Sequence, residues 1–135
     1  MNAFDFSWMV GRILTVQFSA PNSWWFSFEE SVGISVECPW RLIENGCISV
    51  SGDDHGQQFG LPSPIDAAAV ATERLADSPV TGVEVRRGTA DLLLSFEGEL
   101  RLEIVPFSSG YESWQVVGPD GKCVVAQGGG QLSSW

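Results

Sequence analysis

The chain has 135 residues, enough for one domain with a core of ordinary stability and too few for two independent ones. Hydrophobic content of 44% and charged content of 18% are those of a folded chain and exclude disorder. Seventeen acidic residues against seven basic give a formal charge of −10, a field that repels phosphate backbones and anionic lipid, so neither nucleic acid nor a membrane is an expected partner. A basic protein is, because the same field speeds its approach.

Cys38, Cys47 and Cys123 are odd in number and lack C-x-x-C spacing, which reads as reduced thiols buried as small hydrophobes rather than a disulfide framework. Residues 1–10 contain Asp5 and no Lys or Arg, unlike the basic start of a signal peptide. No apolar run approaches the ~18 residues of a bilayer span. A soluble, cytoplasmic protein is expected.

In chain order, Phe4, Phe6 and Trp8 alternate with Asp5 and Ser7, which predicts a strand lying on another surface. Leu14, Val16 and Phe18 alternate with Thr15 and Gln17 as a second half-buried strand. After the turn cluster 19–23, Trp24, Phe26 and Phe28 share one face, and Val32, Ile34, Val36 and Cys38 return as a hairpin partner. Pro39 stops that pairing. Residues 40–43 and 47–51 form a second hairpin around Asn45-Gly46, a pair that accepts positive φ cheaply.

A polar loop, 52–61, leads to a helix over 63–76, with Ser63 as N-cap and Pro64 at the first helical position. Ile65, Ala68, Ala69, Thr72, Leu75 and Ala76 form a stripe at helical spacing, so the helix should lie flat on a sheet face. The earlier pattern then recurs: Val83 and Val85, a turn at 86–89, the strand Leu92, Leu94, Phe96 and the strand Leu100, Leu102, Ile104. Pro106 answers Cys38 or Pro39, Trp114 answers Trp40 after an inserted aromatic loop, and Asp120-Gly121 with Val124 to Ala126 answers the second hairpin. Two similar halves, about 11–52 and 81–127, are thus expected to share one core within a single domain, joined by the helix.

Trp40-Arg41-Leu42, the strand end from Leu100 to Pro106, Tyr111-Glu112-Ser113-Trp114, Pro119-Asp120-Gly121 and Gly128-Gly129-Gly130 stand in an order and spacing that resembles a family of small, uncharacterised bacterial proteins. The resemblance covers most of 13–132 and carries no known activity or site residues. Some proteins of this kind look like the immunity partners encoded beside bacterial toxins. The resemblance therefore implies an antidote role.

Residues for chemistry are sparse. His55 is the only histidine, and Asp53-Asp54-His55 reads as a polar turn, because adjacent residues rarely converge on one metal ion. A His-assisted thiol would need His55 with Cys38, Cys47 or Cys123, and nothing local marks any of the three. Gly128-Gly129-Gly130 lacks the lysine and following helix of a phosphate loop and reads as a flexible turn. Glu29/Glu30 and Glu97/Glu99 fall at hairpin turns, where water solvates both carboxylates. The expectation is a non-enzyme with no catalytic residues, no cofactor and no metal.

Binding is better served. The loop 107–114 is an insertion rich in aromatics, and loops on rigid sheets collect binding residues. The expected partner-binding residues are Trp25, Glu29, Glu30, Asp53, Asp54, Tyr111, Glu112 and Trp114. The fold expected is α+β: about eight antiparallel strands in two similar halves, as a bent sheet or open barrel, with one amphipathic helix between them. On it we expect a non-catalytic acidic domain that binds a basic protein, of which a bacterial toxin is the specific case. The rival is a small-ligand binder with Trp25, Tyr111 and Trp114 in a barrel mouth.

Overall fold

The computed structural model describes residues 4–135. Eleven strands and one α-helix follow in the order β1 (Thr15–Ser19), β2 (Ser23–Glu29), β3 (Val32–Val36), β4 (Trp40–Glu44), β5 (Cys47–Ser51), α1 (Ala67–Leu75), β6 (Val80–Val85), β7 (Leu92–Phe96), β8 (Leu100–Ile104), β9 (Trp114–Val117), β10 (Cys123–Ala126) and β11 (Leu132–Ser134). The class is α+β, and every strand pair is antiparallel. The strands form two open sheets, ordered β1-β2-β3-β9-β10-β11 and β5-β4-β8-β7-β6.

The topology turns on two crossings. β1, β2 and β3 build the first sheet as a meander, and the chain then passes through Glu37, Cys38 and Pro39 into the second sheet, where β4 pairs with β8. β6, β7 and β8 build the second sheet, and the chain passes through 105–113 into the first, where β9 pairs with β3. Each hairpin β4-β5 and β9-β10 thus completes the sheet that the other run began. Proline stands in both crossings because it has no N–H to offer a ladder.

Alternation along these strands sends one side chain in two between the sheets. Phe26, Ile34 and Val36 of the first sheet meet Leu42, Leu92, Leu94, Leu102 and Ile104 of the second, all fully buried. Each such side chain is worth about 1.5–3 kcal/mol relative to exposure. Trp40 joins the layers, its ring 5.0 Å from Trp24 and 5.2 Å from Phe26, both edge-on.

Two pieces close the open flanks. Helix α1 lies along the edge strand β1 and reaches β5 rather than lying flat on a sheet face. Its Thr72 hydroxyl accepts the Val16 N–H at 2.8 Å and donates to the Val16 carbonyl at 3.3 Å, so a side chain occupies the free edge of β1. Ala67, Ala68, Ala71 and Leu75 are its buried residues, a stripe rotated from the predicted one. The helix starts at Asp66, whose carboxylate accepts the Ala69 N–H, and not at Ser63. Ile65 exchanges backbone bonds with Gly56 and Gln57, which pins the preceding segment extended.

The other flank, between β11 and β6, is covered by 4–12. The predicted strand at 1–10 is a 3₁₀ turn over Ser7–Met9, with residues 1–3 outside the described range. The Ser7 N–H donates to the Asp5 carboxylate, and that bond holds the Asp5 carboxyl below its ordinary range. Met9 is fully buried, Phe6 packs 6.4 Å from Trp114, and Gly11 and Arg12 pair with the Val80 backbone. A groove of about 800 Å³ remains on this flank, lined by Phe4, Phe6, Val83, Val85, Arg87 and Leu132 among others.

Candidate functional site

At the crossing end, two backbone bonds tie the links together: the Val105 N–H donates to the Pro39 carbonyl and the Glu37 N–H to the Ser113 carbonyl, both at 2.9 Å. Between these ties the loop 107–112 is pinned from below. Ser108 Oγ accepts the N–H of Gly110 at 3.0 Å and of Tyr111 at 2.8 Å, while the Ser108 carbonyl accepts the Gly129 N–H. The pinned loop presents Phe107 at 80% exposure and Tyr111 at 81%. They are the two most exposed large apolar residues of the described chain, which the cost of wetting such rings makes noteworthy.

Phe107 and Tyr111 line an open groove of about 530 Å³ with Glu37, Cys38, Pro39, Ser108, Glu112 and Ser113. Two carboxylates and two aromatic rings therefore share one concavity. The Cys38 thiol beneath them is pushed up to about 12, first by burial and then by the Asp91 carboxylate, so it stays protonated and unreactive at neutral pH. Among the described residues the Glu37 carboxylate receives the Ser23 hydroxyl, at 3.4 Å, and Glu112 makes no ion pair.

The sequence from 7 to 135 matches the model of a family of unknown function, DUF6188. The chain belongs to that family. Neither a curated protein nor a solved structure matches it.

In this DUF6188 member the predicted binding residues fall into separate places. Tyr111 and Glu112 are in the groove. Glu29 and Glu30 stand at the β2–β3 turn, the far end of the first sheet, beside the β9–β10 turn that carries Asp120; Glu29 pairs with Arg12 at 2.6 Å. Asp53 and Asp54 form a 3₁₀ turn after β5, where Asp54 accepts the Ser51 N–H and closes the turn on itself. His55 is spent structurally as well. It accepts the Ala67 N–H at 3.1 Å, and its ring sits 4.3 Å from Phe18 and 5.4 Å from Trp24.

Trp114 is not a loop anchor. It is 2% exposed, and its Nε1 donates to the Ala90 carbonyl at 2.8 Å, so it is a core residue closed to any partner. Trp25 does face outward on β2, opposite Ser35, and lies half-buried against Gly33, where a Cβ would meet its Cζ2 at 3.0 Å. Trp25, Tyr111 and Trp114 therefore do not converge on a barrel mouth.

Two further expectations are corrected. Cys47 is exposed at the start of β5, not buried, and Cys38 lies at the opposite end of β4 from it. The triple-glycine turn is not a loose one. Gly128 lies against the Gly110 backbone and Gly130 against the Gly88 carbonyl, with no room for a Cβ at either. It is a wedge between two loops of the crossing end.

Among the described residues no three His, Cys, Asp or Glu side chains are placed to hold a metal ion, and no helix is long and apolar enough to cross a membrane. Of the groove's acidic and aromatic residues, Glu37 and Phe107 are absent from the predicted set. Phe107 could have been found in the inserted aromatic loop. Glu37 carries no local signal, because the wall opposite it comes from the other half of the chain.

Proposed function

We propose that this protein is a non-catalytic binding domain whose crossing-end groove docks on a basic protein. One observation carries the reading: a tied loop exposes Phe107 and Tyr111 beside two acidic residues that have no basic counterpart among the described residues. Exposed aromatics on a fixed loop are the anchors from which interfaces draw most of their energy. The surrounding charge of −10 supplies steering toward a cation-rich surface. The antidote role implied by the family resemblance makes a basic bacterial toxin the specific form of that partner.

The test is affinity capture with crosslinking from cells that express the protein, using three baits. Wild type and Glu29→Gln/Glu30→Gln, altered at the far turn, should retain the same high-pI protein; Phe107→Ser/Tyr111→Ser should lose it. Equal capture by all three baits would remove the groove from the account, and capture of acidic proteins alone would remove the basic partner.

A further inference from the structure

The distribution of counter-ions in the molecule is uneven. Arg12 pairs with Glu29, Arg41 and Arg101 with Glu103, Arg74 with Glu44, and Arg86 with Asp91, at 2.6–3.7 Å. The two remaining cations lie elsewhere: Arg87 lines the groove beside β6, and Lys122 lines a cavity between the segment 4–8 and β10. None of the seven basic side chains lines the crossing-end groove, whereas the carboxylates Glu37 and Glu112 do.

The rings add a second element. The loop that carries Phe107 and Tyr111 is held by Ser108, whose Oγ accepts the Gly110 and Tyr111 N–H groups and whose carbonyl accepts the Gly129 N–H. The exposure of the rings is therefore built in and not the result of a frayed terminus. A concavity with one carboxylate on each wall, Glu37 on the bend and Glu112 on the loop, and with two aromatic rings beside Glu112, has the recognition chemistry of an organic cation. The carboxylates take its N–H donors, and the ring quadrupoles take its positive face.

We propose that the groove between the Glu37-Cys38-Pro39 bend and the 107–113 loop is the receptor for one arginine side chain of the partner. The assignment rests on the protein-binding reading above and gives it a specific contact. Arginine is chosen over lysine because a planar guanidinium can stack on Tyr111 or Phe107 and still present a fork of donors to Glu37 or Glu112. An ammonium is a strongly hydrated point and loses more water in entering. The floor suits the purpose: Pro39 offers no N–H, and the Cys38 side chain is a neutral thiol there.

The experiment titrates ¹⁵N-labelled protein with three blocked tripeptides, Gly-Arg-Gly, Gly-citrulline-Gly and Gly-Lys-Gly, followed by amide shifts. Citrulline keeps the shape of arginine and removes its charge. The arginine peptide should shift the amides of Glu37, Cys38, Tyr111 and Glu112 and leave Glu30 and Glu99 at the far turns unmoved. Binding should be about tenfold weaker for citrulline and several-fold weaker for lysine. In Glu112→Gln the arginine titration should weaken about fivefold or more while the spectrum stays that of a folded chain.

Equal shifts from arginine and citrulline would overturn the cation receptor. Equal binding of lysine would overturn the choice of arginine, and shifts spread over every acidic turn would reduce the effect to general attraction. If the arginine peptide is inert while partner capture still depends on Tyr111, the arginine receptor falls and the docking face stands. If the peptide binds but capture is indifferent to the groove, the docking face falls instead.

Discussion

The Glu37 N–H donates to the Ser113 carbonyl at 2.9 Å, joining the end of β3 to the end of the loop that leads into β9. With the Val105–Pro39 bond beside it, this contact makes one rigid rim of two crossings that lie far apart in sequence. The groove exists because the two runs of the chain exchange their second hairpins between sheets.

If Tyr111 is an anchor and Trp114 a core residue, their truncations separate cleanly. Tyr111→Ser should change unfolding free energy by less than about 0.5 kcal/mol, since the ring is mostly in water, and weaken partner binding about thirtyfold or more. Trp114→Phe should cost about 1–3 kcal/mol by leaving the Ala90 carbonyl unpaired. It should leave binding intact once the protein is folded. Urea unfolding and titration calorimetry on both variants check the pair.

Thr72 closes the free edge of β1 with a hydroxyl that both accepts and donates. Thr72→Val keeps the shape and strands the Val16 N–H against the helix, so urea unfolding should show a loss of about 1–3 kcal/mol. Thr72→Ser keeps the hydroxyl and should recover most of it.

Cys38 gives a signed pH dependence. Its thiol holds the proton to about pH 12 in the folded chain, against an ordinary value of 9.0. Between those values the folded state binds more protons than the unfolded one, so stability falls as pH rises through that window and owes nothing to this group below it. The slope is at most about one proton, a factor of ten in the unfolding constant per pH unit. Cys38→Ala should flatten the alkaline limb by that amount relative to wild type. Iodoacetamide at pH 8 followed by peptide mass mapping should modify exposed Cys47 early and Cys38 last.

Gly130 has a φ of +83° and sits against the Gly88 carbonyl. Gly130→Ala must open the contact between the β10–β11 turn and the β6–β7 loop as well as strain the backbone. A loss of about 1–3 kcal/mol is expected, read as a lower thermal midpoint. Gly121→Ala keeps the left-handed strain (φ +82°) in open space, where a Cβ meets nothing, and should cost less.

Strands were legible where residue order or a turn marks them. Leu100–Ile104 alternates in burial, Cys47–Ser51 follows the Asn45-Gly46 turn, and Leu92–Phe96 is an apolar run between turn residues. The division of the strands between two sheets was not, since alternation marks an inward face without saying which sheet owns it. β11 was missed because Leu-Ser-Ser has one apolar position and no pattern. Phe4, Phe6 and Trp8 mimicked a strand, yet a 3₁₀ turn brings Phe6 and Met9 inward together.

The site was half legible for a related reason. An inserted loop with Phe107, Tyr111 and Glu112 announces itself by composition, whereas Trp114 at its end looks the same in sequence and is drawn inward by the register of β9 against β3. Glu37 is one acid among seventeen until the crossing places it opposite that loop.

The claim at the centre is that the crossing end is the docking face, and hydrogen–deuterium exchange of the complex against the free protein tests it most directly. The account predicts added amide protection at 37–38 and 107–113, with the far turns at 29–31 and 97–99 unchanged. Protection confined to those far turns, with the crossing-end amides exchanging as in the free protein, would contradict it.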